Sequence, residues 1–416
     1  MRKLLLVSLA ICLIQGAIFA SGNRQSSSDQ TAQGGAKKTI KFYGWIREYP
    51  HSEIMINKLK ELTADKYVIE TLPVDWNNLA TVIRTGIASG EPSDIYQYWS
   101  QTMRPFVDSN MALDLTPYLE ANGAAWKNVY VQAALDTGKF DGKYYNTPIQ
   151  SNYPLMFGNK KLIDDLGLTI PDNWTWDQFL DFCAKAKAKG VYPLVNSTDN
   201  GRANWFIRNA MLSLAVSDNK QDALAVGTIR TTDPLFAKSF AAIKDLYTKD
   251  YMYPGAGSVT ITVDEARAGF YQGKLLLNPD NAAQATGIIG DAPFEVTVIP
   301  WPRLGTKNAV QGGFDGLFIP ANVKDKEAAV EILRIYTSTP AIQEIAVNMG
   351  AAIPFTNVTV TDPIVKKVID YSSAVSPFEL YNLNAKVLDY FNNSLIPELV
   401  LGGGVDPALG ALEKLY

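Results

Sequence analysis

Four aromatic residues, Trp45, Trp99, Tyr153 and Trp205, keep close polar company in this chain. Glu48 follows Trp45, Gln101 follows Trp99, and Asn200 and Arg202 precede Trp205. Asp280, Asn281 and Asp315 add three more polar groups, the last directly behind Gly312-Gly313-Phe314. A flat ring covers the apolar CH face of a polyhydroxylated molecule, while amides, carboxylates and guanidinium groups bond its hydroxyl rim. These residue types together suit a carbohydrate-like ligand. They offer little to catalysis. His51 is the only histidine, so a multi-histidine metal site is excluded and any His-assisted nucleophile must converge on that position. We expect His51 to be a solvated loop residue. No G-x-x-x-x-G-K-[ST] occurs, and Gly402-Gly403-Gly404 runs into Val405 and Asp406 rather than Lys, which excludes a P-loop nucleotidase. The 42 acidic residues allow many carboxylate pairs, but no spacing selects a glycosidase pair. No catalytic residue, metal ligand or cofactor is expected.

The elements that must position these residues follow from periodicity. Thr39 to Trp45 alternates as a first strand, and Ile54, Ile56, Leu59 and Leu62 mark a helix capped by Ser52. Tyr67 to Val74 reads as a second strand. Asp75 or Asn77 can cap the next helix, with Leu79, Val82, Ile83 and Ile87 as its apolar stripe. Ile95 to Trp99 is the third strand. Strands separated by helices require right-handed parallel crossovers and a doubly wound α/β sheet, in which ligands bind beyond the carboxyl ends of the strands. Those ends are Trp45 to Glu48 and Trp99 to Gln101. Further on, Asp141-Gly142 is a hairpin signal, and Pro148 and Pro154 keep Thr147 and Tyr153 extended. The segment between the prolines therefore reads as a strand passing from one lobe to another. Thr175 opens a helix as a capping box with Gln178, and Phe179, Phe182, Cys183 and Ala186 share its inner face. Trp174 and Trp176 are assigned to structure.

At 416 residues the chain is too long for one ordinary core. Its composition, 47% hydrophobic and 19% charged, is globular, and a formal charge of -4 offers no basic field for nucleic acid or anionic lipid. Residues 1–20 read as a secretory signal peptide, with Arg2-Lys3 ahead of an apolar run and small residues at its end. Residues 21–38 form a polar, Gly/Ser/Gln-rich flexible tether. Ile11 is bulky where a lipobox before Cys12 needs a small residue. Processing would leave Cys183 as the lone cysteine, expected in the core.

The stretch Lys139 to Phe179, KFDGKYYNTPIQSNYPLMFGNKKLIDDLGLTIPDNWTWDQF, resembles the central signature of the family 1 extracellular solute-binding proteins, the sugar-capturing subunits of bacterial ABC importers. ASGEPSDIY, MALDLTPYL, the segment Val263 to Leu277, AAIPF and the closing LGGGVDPALGALEKLY are similar to further family signatures, so the resemblance runs from about Lys41 to the end. It implies a two-lobed periplasmic-binding-protein fold of the α/β class, each lobe a doubly wound sheet. Three crossings are expected near Gln150 to Tyr153, Val296 to Trp301 and Asn357 to Thr361. The N-terminal lobe would then take 39–150 plus 297–357 and the C-terminal lobe 151–296 plus 358–416.

The resemblance also implies a ligand bound between the lobes, an exported monomer, and docking on the transmembrane subunits of an ABC permease. It implies that Gly312-Gly313 let backbone N–H groups approach the ligand, putting Gly313, Phe314 and Asp315 at the site. It points to Tyr381, with Phe378, as a second-lobe aromatic. Relatives continue the 263–277 segment with Gly and Trp, where this chain has Asn278-Pro279-Asp280-Asn281. That departure and the acids Glu48, Asp280 and Asp315 keep open a non-sugar ligand such as a polyamine or metal complex. An exported glycoside hydrolase, and a receptor signalling through a sensor partner, are the other readings.

Overall fold

The computed structural model describes residues 37–74, 79–199, 201–225, 227–351, 354–377 and 385–416. The expected leader, nearly all of the tether, the candidate caps Asp75 and Asn77, and the site candidates Asn200, Phe378 and Tyr381 lie outside the described residues. Among the described residues, twelve strands follow in chain order. They are β1 (Lys38–Tyr43), β2 (Tyr67–Leu72), β3 (Ile95–Trp99), β4 (Lys139–Phe140), β5 (Lys143–Tyr144), β6 (Thr147–Asn152), β7 (Pro154–Asn159), β8 (Tyr192–Leu194), β9 (Leu275–Asn281), β10 (Val296–Ile299), β11 (Val310–Phe318) and β12 (Val375–Pro377).

The first-lobe sheet runs β12-β11-β3-β1-β2, with β6 on β11. β1 is parallel to β2 and β3, while β11 lies antiparallel to β3 and β6. Strand alternation sends successive side chains to opposite faces. Phe42 and Ile95 enter one core beneath the helices Pro50–Leu62, Lys326–Ser338 and Pro340–Asn348. Tyr43 and Tyr96 enter another beneath Leu79, Ile83 and Ile87 of the helix Leu79–Ala88. The second-lobe sheet, β10-β7-β9-β8, packs around a single large core. That core includes the capping-box helix Trp176–Ala188, with Phe179, Phe182, Cys183 and Ala186 all buried.

The first helix differs from expectation in detail. Pro50 holds Tyr49 extended and itself starts the helix, so Ser52 is a buried residue inside the helix rather than its cap. The inward stripe is Met55, Ile56 and Leu59, each worth about 1.5–3 kcal/mol on burial. Ile54 and Leu62 fall off that stripe and are exposed.

The lobes are joined where strands change sheets. β6 pairs with β11 in the first lobe and β7 pairs with β9 in the second, so the first crossing is Tyr153 itself. The expected return at 297 comes later in the chain, because Val296–Ile299 pairs antiparallel with β7 in the second sheet. Ala309 and Val310 still belong to the second-lobe core, residues 310–312 pair with β12, whose Val375 packs on that same core, and β11 reaches β6 and then β3 from Gly313 onwards. β11 is therefore itself the crossing strand. Gly312-Gly313 forms part of it rather than a ligand-facing loop. A Cβ on Gly312 would sit 2.5 Å from Tyr153 Cβ, and one on Gly313 would overlap the Gln101 carboxamide. Two crossing strands meeting backbone to backbone leave no room for a side chain. In the third passage, Val358 and Val360 pack on the first-lobe core and Ile364 on the second.

Candidate functional site

A cleft of about 680 Å³ lies beyond the carboxyl ends of β1 and β3, between those ends and the second lobe. Its first-lobe wall is aromatic. Trp45 and Trp99 approach at 6.0 Å between ring centroids with planes 33° apart, and both line the cleft. Trp45 is 1% exposed and packs against the more open Trp99, so it acts mainly as a prop for that ring. The Trp45 backbone N–H donates to Gln97 Oε1 at 3.0 Å, fixing the turn after β1. Glu48 and Tyr49 complete this wall. Burial, reinforced by the charge of Asp315, pushes the Tyr49 phenol well above its ordinary value and keeps it neutral.

Directly behind this wall lies His51. It is buried, stacked on Tyr49 at 5.5 Å, and bonded through Nε2 to Gln150 Oε1 at 2.7 Å. The Gln150 Nε2 donates to Asp315, so its oxygen accepts and His51 carries the proton on Nε2. Burial lowers the His51 pKa to about 4 against the opposing effect of the Gln150 bond. The solvated-loop expectation for His51 is thus corrected: the helix that starts at Pro50 carries it inward.

The second-lobe wall is charged. Arg202 and Trp205 come from the turn and helix after Gly201, and the Arg202 guanidinium lies 4.8 Å from the Trp205 ring centroid. Arg202 Nη1 donates to Asp280 Oδ1, and Arg267 Nε donates to Asp280 Oδ2 at 2.7 Å. Burial by itself would raise the Asp280 pKa, but the two guanidinium groups overcome it and hold the carboxyl below its ordinary range. Asp199, Arg208, Asp264, Leu388, Asn392 and Asn393 also line this side.

The floor is the crossing. Asp315, on β11, accepts from Gln150 Nε2 at 2.6 Å and from Asn152 Nδ2 at 2.8 Å. Asn152 Oδ1 in turn accepts from Asn281 Nδ2 at 2.7 Å. A continuous hydrogen-bonded path thus runs from His51 in the first lobe to Asn281 at the end of β9 in the second.

Of the residues singled out from sequence, the structure brings Trp45, Glu48, Trp99, Arg202, Trp205, Asn281 and Asp315 to the cleft surface. It places others behind that surface. Gln101 accepts the Phe314 N–H at 3.1 Å and straps β11 to the end of β3, and Phe314 itself is buried within the strand. Tyr153 is a core residue whose hydroxyl donates to the Val368 carbonyl. Asp280 is the buried counter-ion of two wall arginines rather than a rim acid.

Sequence reasoning missed Tyr49, Asn152, Arg267, Gln311 and the pair Asn392-Asn393. Asn152 and Gln311 sit within strands, and only their pairing at the crossing shows that they face the cleft. For Asn392 a signal was present in Pro397, which stands inside an otherwise apolar-periodic helix.

The family model for bacterial extracellular solute-binding proteins matches residues 52–343, more than half of the chain. The chain belongs to this family. Members of the family are exported binding proteins rather than enzymes, and no helix among the described residues is long and apolar enough to cross a membrane. The chain is 22% identical, over 347 residues, to the multiple sugar-binding protein of Streptococcus mutans, covering 81% of this chain and 79% of that one. Its fold is similar to that of a chitin oligosaccharide binding protein, with a TM-score of 0.77 and 21% identity over 91% of this chain and 98% of the other. It is likewise similar to the solute-binding protein RafE in complex with raffinose, with a TM-score of 0.75 and 17% identity over 91% and 98% of the two chains.

Proposed function

We propose that this protein captures a neutral sugar or short oligosaccharide between its lobes and delivers it to the membrane subunits of an ABC importer at the outer face of the cytoplasmic membrane or in the periplasm. The observation that carries the reading is the pairing of two unlike walls across one hinge. A tryptophan pair on the first lobe faces a tryptophan with a stacked arginine on the second, in a cleft of about 680 Å³. Rings cover the apolar faces of a sugar, while Glu48, Asp315, Asn281 and the wall arginines meet its hydroxyl groups. The multiple-sugar, chitin-oligosaccharide and raffinose ligands of the proteins it resembles support the same class.

Transport follows from a hinge equilibrium. A ligand that touches both walls binds the closed arrangement better and shifts the population towards it. The crossings at Tyr153 and in β11 are the segments that bend. The closed monomer then presents a surface made of both lobes to the permease. No bond in the ligand needs to break.

A polyamine ligand loses support at Asp280, since two guanidinium groups already neutralise that carboxylate. A metal complex has less support than a sugar because the multiple-sugar, chitin-oligosaccharide and raffinose proteins that this chain resembles are all carbohydrate binders.

The test is a thermal-shift and calorimetric screen of the mature protein against raffinose, xylotriose, chitotriose, maltotriose, spermidine and ferric citrate. Ligands of the native state alone raise the melting temperature. A shift with one or more sugars and no product formed supports the proposal. Silence with every sugar and a shift with spermidine or ferric citrate overturns it.

A further inference from the structure

Between the helices Ala385–Asp389 and Leu395–Leu401 the chain makes one π-helical turn, Tyr390–Ser394, closed by the Leu395 N–H donating to the Tyr390 carbonyl. Its cause is in the sequence. Pro397 has no N–H for the Asn393 carbonyl four residues earlier, and its ring crowds that carbonyl, so the preceding turn widens to a five-residue step. The widened turn divides its side chains. Tyr390 and Phe391 point into the second-lobe core, where the single Tyr390 hydroxyl proton lies between two acceptors, Glu398 at 2.7 Å and the Ala408 carbonyl at 3.0 Å. Asn392 is left on the cleft surface beside Trp205.

The orientation of Asn392 is also set. Buried Asn204, one residue before Trp205, donates from Nδ2 to Asn392 Oδ1 at 2.5 Å. Gly201 backs the same oxygen so closely that a Cβ there would stand 3.1 Å from it. With its oxygen engaged on the protein side, the Asn392 carboxamide turns its NH₂ to the cleft, and that group can only donate.

We propose that Asn392 is a specificity-determining residue of the cleft, donating a hydrogen bond to one acceptor oxygen of the sugar ring that lies on Trp205, with Asn204 as its positioning residue. The inference rests on the carbohydrate reading above and deepens it. A ring with an equatorial or axial oxygen in reach of Nδ2 is accepted, and one with hydrogen at that carbon leaves a desolvated donor unmatched.

The experiment takes the tightest-binding sugar of the panel above and its monodeoxy analogues, titrated into the mature wild-type protein and into Trp205→Ala, Asn392→Ala, Asn392→Asp and Asn204→Ala. In the wild type one analogue should bind about three- to ten-fold more weakly than the parent sugar. Asn392→Ala should lose the same factor for the parent and nothing further for that analogue. Asn392→Asp keeps the bond from Asn204 on one oxygen and lets the sugar hydroxyl donate to the other, so it should retain more of the parent affinity than Asn392→Ala and still discriminate against the analogue. Asn204→Ala should narrow the ratio between parent and analogue, a readout that a purely structural role would not move. Parent affinity unchanged in both Asn392 variants, with Trp205→Ala weakened, overturns this inference and spares the carbohydrate reading. No sugar binding the wild type, or Trp205→Ala binding as the wild type does, overturns the carbohydrate reading and this inference with it.

Discussion

The two walls of the cleft are built on opposite principles. The first-lobe wall presents aromatic surface and is backed by a neutral group, His51, held by one hydrogen bond to the Gln150 side-chain oxygen. The second-lobe wall presents guanidinium groups and is backed by an ionised group, Asp280, clamped between Arg202 and Arg267. A wall of buried rings draws its rigidity from packing, which is insensitive to salt and lost through cavities. A wall of paired charges depends on each partner staying charged and present, because a buried ion left without its partner is costly. The lesson is that one ligand surface can be held in place by two kinds of force, each vulnerable to a different change.

Breaking the first wall should give the largest effect. Trp45→Ala removes a side chain that is 1% exposed and should cost about 3–5 kcal/mol of stability in urea titration. Trp99→Ala, at the more open ring, should cost less stability and instead weaken sugar binding by about 1–3 kcal/mol in calorimetry. Equal stability losses for the two would remove the distinction between prop and platform.

Next comes the charge clamp. Asp280→Asn keeps the shape but leaves Arg202 and Arg267 facing each other without a counter-charge, at a cost of about 3 kcal/mol. A urea midpoint within experimental error of the wild type would mean that the wall does not depend on that charge.

pH separates the walls without mutation. Unfolded His51 binds its proton near 6.5, while the folded protein admits it only near 4. Between these values the unfolded state holds more protons, so stability falls as pH falls through that window, by about 3 kcal/mol in all. Asp280, depressed in the folded state, contributes stability that is lost only at lower pH, as pH falls below the ordinary range of aspartate. In the variant His51→Gln the decline between about pH 6.5 and 4 should disappear from the denaturation series. A decline of unchanged size would assign it to other groups.

The smallest effect belongs to a control remote from both walls. Cys183 is fully buried in the second-lobe core, and burial raises its thiol pKa well above the ordinary value. Cys183→Ala should cost about 1 kcal/mol of stability and leave sugar affinity unchanged. An altered binding constant would show that the second wall feels its core and is not held by paired charge alone.

How far each wall could be read in advance follows the same division. Local pattern reads Trp45 and Trp99 at the carboxyl ends of the first and third strands, where a doubly wound sheet meets its ligand, and the structure has both lining the cleft, Trp99 at the end of β3 and Trp45 just beyond β1. The proline-flanked passage through Tyr153 and the capping box at Thr175 were equally local, as was the burial of Cys183. The second wall joins residues 202, 267, 280 and 392, which periodicity cannot bring together. There the local sequence reads Asp280 as a rim acid, whereas its role depends on Arg202 and Arg267, carried by two other elements. Likewise Gly312-Gly313 looks like a loop in sequence and is in fact the place where two crossing strands touch.

The sequence by itself determined the α/β elements, because hydrophobic period, caps and turn residues act over a few neighbouring positions, and its resemblance to a family of solute-binding proteins carried the two-lobed class and the kind of ligand surface. Only the tertiary structure decided which polar groups face the cleft and which support it from behind. That choice is made by desolvation and pairing, and both depend on what other parts of the chain bring within hydrogen-bonding distance.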